Sequence, residues 1–454
     1  MNKHFSRKPD SCSRLTAELG WLILGQVLSV GGALVSVRCL TELLPPETYG
    51  TLGLALTAAA LLQQLWFAPL LATAIRFFAS ARDAGQLGVF FRTLARLMTI
   101  TGTPLLLLLA AGVGLLILCE QRGWSALLAF AYGYAVASGA NSLLDGMQNA
   151  ARCRHLAALH SGVSVWLRLG LAAWLVHAFV PSADVVLVGY IGGSALILMS
   201  QFATFRHATQ PIVPRLTEPA NDVASTSFAQ MSAYFWPLMA WVAFTWAFSA
   251  SDRWFLQIFA TTEDVGRYLV LYQLGYYPIS LLSELVQQWF FPILQAQADQ
   301  GTNSTRHRQL FVTGRRLILA TAGVVAVAVV CASWGHTLVF RFLAAERYRE
   351  MSSLLPGMVL ASGLFAVGQV AGLPLLLAAG SRALAPTKIV TSCLGLILNA
   401  VGAWQAGVAG IIVAQIGFSA AYALWTTLLL AQVARRQSSP IAIPESTGNE
   451  QQAA

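Results

Sequence analysis

Charge is what this sequence lacks. Only 10% of its 454 residues are Asp, Glu, Lys or Arg, against about 25% in a soluble globular protein. Too few charges are present to cover a water-exposed surface of this size, which excludes a cytosolic enzyme and a disordered scaffold. Cysteine is scarce as well. The six (Cys12, Cys39, Cys119, Cys153, Cys331 and Cys393) are scattered and no C-x-x-C occurs, so neither a disulfide framework nor a zinc site is indicated. The seven histidines form no ligand spacing, and there is no Walker A stretch, no H-E-x-x-H and no T-V-G-Y-G loop. ATP hydrolysis by a P-loop, a zincin centre and a potassium filter are thereby excluded. What remains is apolar: 56% of residues are hydrophobic and the mean hydropathy is +0.63. This is the composition of an all-α polytopic membrane protein.

A helix needs about 20 mostly apolar residues to cross a bilayer. Twelve segments qualify: 19–40, 51–73, 98–119, 125–147, 156–179, 184–205, 231–252, 266–290, 317–340, 352–378, 387–405 and 409–432. The first follows Lys3, Arg7, Lys8 and Arg14, but its apolar stretch is too long for a signal peptide, and it is expected to be retained. With the N-terminus inside, the bases gather at inner ends and links: Arg76, Arg82, Arg92 and Arg96, then Arg152 and Arg154, Arg306, Arg308, Arg315 and Arg316, then Arg435 and Arg436. The acids are shared between the two sides. This is positive-inside behaviour. It accounts for the net charge of +9 without a nucleic-acid partner, for which no soluble reader domain exists.

Both termini are therefore expected in the cytoplasm, as a segment 1–18 and a polar tail 433–454. The polar link 206–230, with Pro211, Pro214 and Pro219, is expected to join an N-lobe, 19–205, to a C-lobe, 231–432. The links between spans are too short to hold the extramembrane domain of a membrane glycosyltransferase or polymerase. The stretch Arg76–Leu97 sets its four arginines beside Phe77, Phe78, Phe90 and Phe91, which predicts an amphipathic helix on the inner leaflet.

Six spans plus six permit a parallel repeat. Arg38 and Gly50 are echoed by Arg253 and Gly266, Glu47-x-x-Gly50 by Glu263-x-x-Gly266, and Phe91-x-Thr93-x-x-Arg96-Leu97 by Phe311-x-Thr313-x-x-Arg316-Leu317. These matches lie 215 to 220 residues apart.

Charge at mid-bilayer costs about 2.5–3.5 kcal/mol on insertion scales and so turns towards protein or a wet cavity. Arg168 sits near the middle of the fifth span, with His160, Ser161 and Ser164 on the same side at 100° per residue. It reads as an anion-binding arginine in a translocation cavity, or as a structural arginine paired across helices. On the eighth span Tyr268, Tyr272, Gln273, Tyr276, Ser280, Ser283, Glu284 and Gln287 gather on one side, as a cavity wall or a hydrogen-bonded seam. Tyrosines stack on sugar rings and also donate hydrogen bonds. Glu284 is a candidate partner of Arg168 or a titrating group in a coupling cycle. The fourth span repeats the pattern with Tyr134, Ser138, Asn141, Asp145 and Gln148, the last two near enough to the cytoplasm for plain solvation to explain them. Arg76 ends the second span after Pro69, either guiding a phosphate or obeying positive-inside. Asp252 and Arg253 close the seventh span, where an interfacial ion pair is the simpler account.

The stretch Gly25-Gln26, then Val37-Arg38-Cys39-Leu40-Thr41-Glu42-Leu43-Leu44-Pro45-Pro46-Glu47-Thr48-Tyr49-Gly50, resembles the outer end of the first span in polysaccharide flippases. That family is part of the multidrug/oligosaccharidyl-lipid/polysaccharide exporter superfamily. Pro69 with Arg76 resembles the end of its second span, and Asp252-Arg253 with Glu263-Asp264-Val265-Gly266-Arg267-Tyr268 the start of its second lobe. The resemblance implies two six-helix lobes in a V around a cationic cavity. It implies alternating-access transfer of polyprenyl-diphosphate-linked oligosaccharide from the inner to the outer leaflet of a bacterial inner membrane, for exopolysaccharide, O-antigen or capsule synthesis. Drug antiporters of the superfamily often carry an acid in the first span, and 19–40 contains none. A drug or metabolite exporter is the alternative.

The candidate substrate-binding residues are Arg168, Tyr272, Tyr276, Arg76, Arg38 and Arg253. The candidate coupling or ion-pairing acids are Glu284, Asp145 and Asp252. The expected partners are the lipid-linked oligosaccharide, membrane lipid, and polysaccharide polymerase and chain-length machinery. Neither catalysis nor a cofactor nor a metal is expected.

Overall fold

The computed structural model describes residues 11–151, 153–209, 221–299 and 303–438. The expectations for 1–10, for Arg152, for Pro211, Pro214, Arg215 and Pro219 in the link, and for 439–454 lie outside the described residues. Those described are helical throughout, without a strand, and each of the twelve expected spans falls on helix.

Helix α1 spans Ser11–Leu43. Helix α2, Pro46–Leu62, runs through a π turn, Gln63–Phe67, into α3, Ala68–Asp83. Then follow α4 (Leu87–Leu118), α5 (Arg122–Ala150), α6 (Arg154–Ala178), α7 (Ala183–Thr209) and α8 (Asn221–Phe259). Helix α9, Thr262–Leu271, runs through a second π turn, Tyr272–Tyr276, into α10, Tyr277–Asp299. Helix α11 is Asn303–Leu343. A 3-10 segment, Glu346–Leu354, leads into α12, Leu355–Ala379, and α13 is Ser381–Ser438. Helix α13 is two helices meeting at Ala406 and Gly407, whose backbone leaves helical geometry. That break falls between the eleventh and twelfth expected spans.

The two π turns share a cause. Each ends two residues before a proline, Pro69 and Pro278. Proline offers no N–H to the carbonyl four residues back, and its ring pushes that carbonyl away. The widened ladder is taken up as one π turn.

The amphipathic surface helix expected over Arg76–Leu97 is absent. The stretch is the end of α3, a tight turn and the start of α4. Gly85 stands at φ 69°. Its N–H donates to the Arg82 carbonyl, and that of Gln86 to the Ala81 carbonyl, a Schellman ending that only glycine adopts without strain. Sequence periodicity carried through this point because both helices present arginines and phenylalanines.

The described residues form two compact units. The first takes those up to Leu274 together with His336–Ser353 and Asn399–Ile411; the second takes Gly275–Gly335, Leu354–Leu398 and Ile412 onward. Within the first, α5, α6 and α7 pack side by side, α1 lies on α6, and α2 crosses α9. A β-carbon on Gly50 would stand 2.0 Å from the Thr262 carbonyl oxygen, and one on Gly266 2.0 Å from that of Pro46. The two backbones thus touch reciprocally, each glycine against the residue four positions before the other. Within the second unit, α10 packs on α12 and the Ser362 hydroxyl donates to the Tyr276 carbonyl at 2.8 Å. Phe365 and Tyr422 pack ring to ring at 5.3 Å.

Candidate functional site

Arg168 lies half-buried on α6, where α7 closes on it. Gly193 makes that possible, since a β-carbon there would sit 2.8 Å from the Arg168 α-carbon. Its Nε donates to the Ser164 carbonyl at 3.1 Å, Nη2 to the Ser164 hydroxyl at 3.2 Å, and Nη1 to the Tyr134 hydroxyl on α5 at 2.7 Å. A guanidinium carries five N–H groups, so one remains on each Nη. Among the described residues Arg168 forms no ion pair. Tyr134 in turn packs on Tyr190 of α7, ring centroids 5.5 Å apart. The result is a cation braced by two aromatic residues, with Asp145 of α5 acting on it through space and no direct ion pair, and with a two-pronged edge left for an oxyanion. His160 and Ser164 share its buried side as expected, whereas Ser161 is exposed.

The polar side of α5 is a seam rather than a solvated end. The Asn141 amide donates to the Ser194 carbonyl at 3.1 Å, and Gln201 of α7 donates to Asp145 at 2.7 Å. Gln148 is fully buried. Its amide donates to the Gln201 carbonyl at 3.4 Å, while its oxygen lies 3.3 Å from His160 Nδ1. His160 Nε2 lies 3.1 Å from the Ser200 hydroxyl. One tautomer satisfies both contacts: Nδ1–H donates to Gln148 and Nε2 accepts from Ser200. Asp145 and Gln148 therefore join α5 to α7 and α6 instead of facing the cytoplasm. Nothing in the sequence pointed to Gln201 as the residue that holds Asp145.

Also in the first unit, Asp252 of α8 is buried. One carboxylate oxygen accepts from the Tyr268 hydroxyl and the other from the Arg253 backbone N–H at 2.8 Å. The Arg253 guanidinium lies 4.5 Å above the Tyr272 ring. Asp252 and Arg253 thus act on each other within a node that the tyrosines of α9 and its π turn complete. Arg38 pairs with Glu42 and donates to the Ala344 carbonyl. Arg347 donates from Nε at 3.2 Å and Nη2 at 3.0 Å to the Thr41 carbonyl, and the Tyr348 hydroxyl donates to the Leu44 carbonyl at 3.1 Å. The Thr41 and Glu42 carbonyls in the last turn of α1, which have no partner inside the helix, are capped by Arg347, a cation that also suits the helix dipole. Arg38 and Arg347 build this clasp between the end of α1 and residues 344–348. Arg347→Ala should cost about 1 kcal/mol, read as a small drop in melting temperature. Arg341→Ala, an exposed neighbour, should leave the melt unchanged.

The polar side expected on the eighth span divides at its π turn. Tyr268 is fully buried, Tyr272 and Tyr276 are half-buried, Ser283 is buried and Glu284 is exposed. A π turn adds a residue to one coil, so positions after it are rotated relative to those before it. A uniform 100° step cannot follow that rotation. Tyr272 belongs to the first unit, and Tyr276 and Glu284 to the second. Arg76 is exposed on α3, its guanidinium 4.3 Å above the Tyr234 ring of α8.

Comparison with known proteins gives a family and a fold. The family model described as polysaccharide biosynthesis protein matches residues 15–296. No curated protein matches the chain. Among solved structures, the lipid II flippase MurJ in an inward-closed conformation superposes with a TM-score of 0.67 at 10% identity, covering 93% of this chain and 90% of that one. A transporter of the MOP superfamily from Pyrococcus furiosus superposes at 0.57 with 12% identity, over 91% and 94% of the two chains. A Vibrio cholerae MATE transporter does so at 0.53 with 15% identity, over 93% and 97%.

Proposed function

This chain belongs to the polysaccharide biosynthesis protein family, and from that premise we propose that it is a flippase for a polyprenyl-diphosphate-linked oligosaccharide. It works by alternating access in a bacterial inner membrane, moving the headgroup from the inner to the outer leaflet for surface polysaccharide synthesis. The chain itself is a multi-pass membrane protein. The observation that carries the reading is Arg168, a guanidinium within a membrane-spanning helix that forms no direct ion pair among the described residues, with Asp145 acting on it only through space and two donors left over. An unpaired charge at such depth is costly, and a diphosphate is an anion that would offset that cost. Tyr134 holds Arg168 in orientation, and Tyr190 backs Tyr134. Further support is the family match itself, together with the absence of an acid within the first span.

The product of flipping is an outward-facing lipid-linked oligosaccharide, which polysaccharide polymerase and chain-length machinery would consume. The test is deletion of the gene with complementation. Cells without the protein should lose surface polysaccharide and accumulate the lipid-linked intermediate in a form sheltered from a membrane-impermeant glycan-labelling reagent. The wild-type gene should restore both. Normal surface polysaccharide with raised drug sensitivity would overturn the reading in favour of a drug exporter.

A further inference from the structure

The inner ends of α3, α4 and α8 carry a second arrangement of cations. Arg76 of α3 lies 4.3 Å above the Tyr234 ring and 5.9 Å from that of Phe77, and Phe77 meets Tyr234 edge to face at 6.2 Å. Arg96 of α4 lies 4.6 Å above the Phe228 ring. Both arginines are exposed and both aromatic residues of α8 are half-buried. Neither arginine forms an ion pair among the described residues. In the same hairpin Arg82 is paired with Asp83 at 3.3 Å and Arg92 bonds the carbonyl of its own Gly88 at 3.3 Å.

Stacking uses the face of a guanidinium and leaves its edge, which carries all the N–H donors, free. A guanidinium fixed in this way is preorganised for a phosphate, because little rotamer entropy remains to be lost on binding. Phe228 and Tyr234 are six residues apart on α8, a rise of about 9 Å, so the two cations stand along one helix, on the side that the positive-inside pattern assigns to the cytoplasmic headgroups. We propose that this corner binds a phosphate-bearing lipid headgroup of the inner leaflet. The proposal stands on the geometry of the corner and does not depend on the flippase reading. Two lipids offer that chemistry: an anionic phospholipid, and the polyprenyl diphosphate of a substrate before loading.

The test measures lipid retention on the full-length protein by native mass spectrometry. The probes are dioleoylphosphatidylglycerol and undecaprenyl diphosphate, with dioleoylphosphatidylcholine as the zwitterionic reference. The paired variant R76Q/R96Q should weaken retention of at least one anionic lipid roughly tenfold. The variant F228L/Y234L keeps every charge and removes only the stacking surfaces, and it should weaken retention roughly threefold. R82Q/R92Q removes the same charge from the same hairpin and should change little. Melting curves matching the parent confirm that each variant is folded. Loss confined to phosphatidylglycerol assigns a resident phospholipid, loss confined to the diphosphate assigns a loading station, and loss of both assigns a shared phosphate site. Equal loss in R82Q/R92Q, full retention in F228L/Y234L, or no preference over phosphatidylcholine would overturn the proposal.

Discussion

Replacing Arg168 with alanine should abolish surface polysaccharide while the protein remains at normal abundance. A charge-assisted, two-pronged contact to a phosphate is worth about 1.5–3 kcal/mol, so affinity for a polyprenyl diphosphate should fall roughly 10- to 100-fold. The fold should tolerate the change. Arg168 hydrogen-bonds no carboxylate; Asp145, on which it acts through space, keeps its own bond from Gln201, and the bonded neighbours Tyr134 and Ser164 are neutral groups. The α6–α7 contact at this position runs through the Arg168 backbone and the first part of its side chain, and alanine keeps the backbone. Two further substitutions separate charge from geometry. Arg168→Lys keeps the cation but replaces a planar fork with a point charge, and it should retain part of the activity. Arg168→Gln keeps polarity without charge and should behave like alanine. Undiminished polysaccharide in the alanine variant would remove Arg168 from the mechanism, and a collapse in protein abundance would make it a structural arginine.

How much of this was legible beforehand depends on how local the signal is. Spans and the break between the last two were readable because length and hydropathy act on a single segment. The polar arc of α5 was readable as an arc, but its destination was not. Asn141, Asp145 and Gln148 find their partners at Ser194, Gln201 and His160, on helices whose own sequences give no hint of the match. Tyr134 and Arg168 were each singled out, on α5 and α6, and only the packing of the two helices joins them. The eighth span departs from its expected single polar side for a different reason. Pro278, on the opposite arc of the span, forces the π turn that rotates Tyr268 and Glu284 away from a common side. Arg38 and Arg253 resembled binding residues because outer-end arginines are conspicuous in an apolar chain. The structure engages Arg38 with Glu42 and Ala344, and Arg253 with Tyr272.

Gly50 and Gly266, paired by their sequence context, are in direct contact in the fold, and that contact supports the second large prediction. The two glycines were matched as equivalent positions of two halves. In the fold they face each other where α2 crosses α9. Pro46 and Thr262, each four residues earlier, supply the carbonyls that touch the opposite glycine. Backbone against backbone leaves nothing that can rotate out of the way. Gly50→Ala or Gly266→Ala should therefore cost more than the ~1–3 kcal/mol typical of overpacking a core and lower the melting temperature of the solubilised protein by roughly 5 °C. Gly53→Ala is the internal contrast. Its β-carbon would stand 1.8 Å from a Leu269 methyl, a worse clash on paper but one that a leucine relieves by changing rotamer. It should cost less than either of the others, even though it lies on the same face of α2 one turn further along. If Gly53→Ala proved the most damaging of the three, the α2–α9 contact would be governed by side-chain packing, and the backbone crossing would not be what holds these helices together.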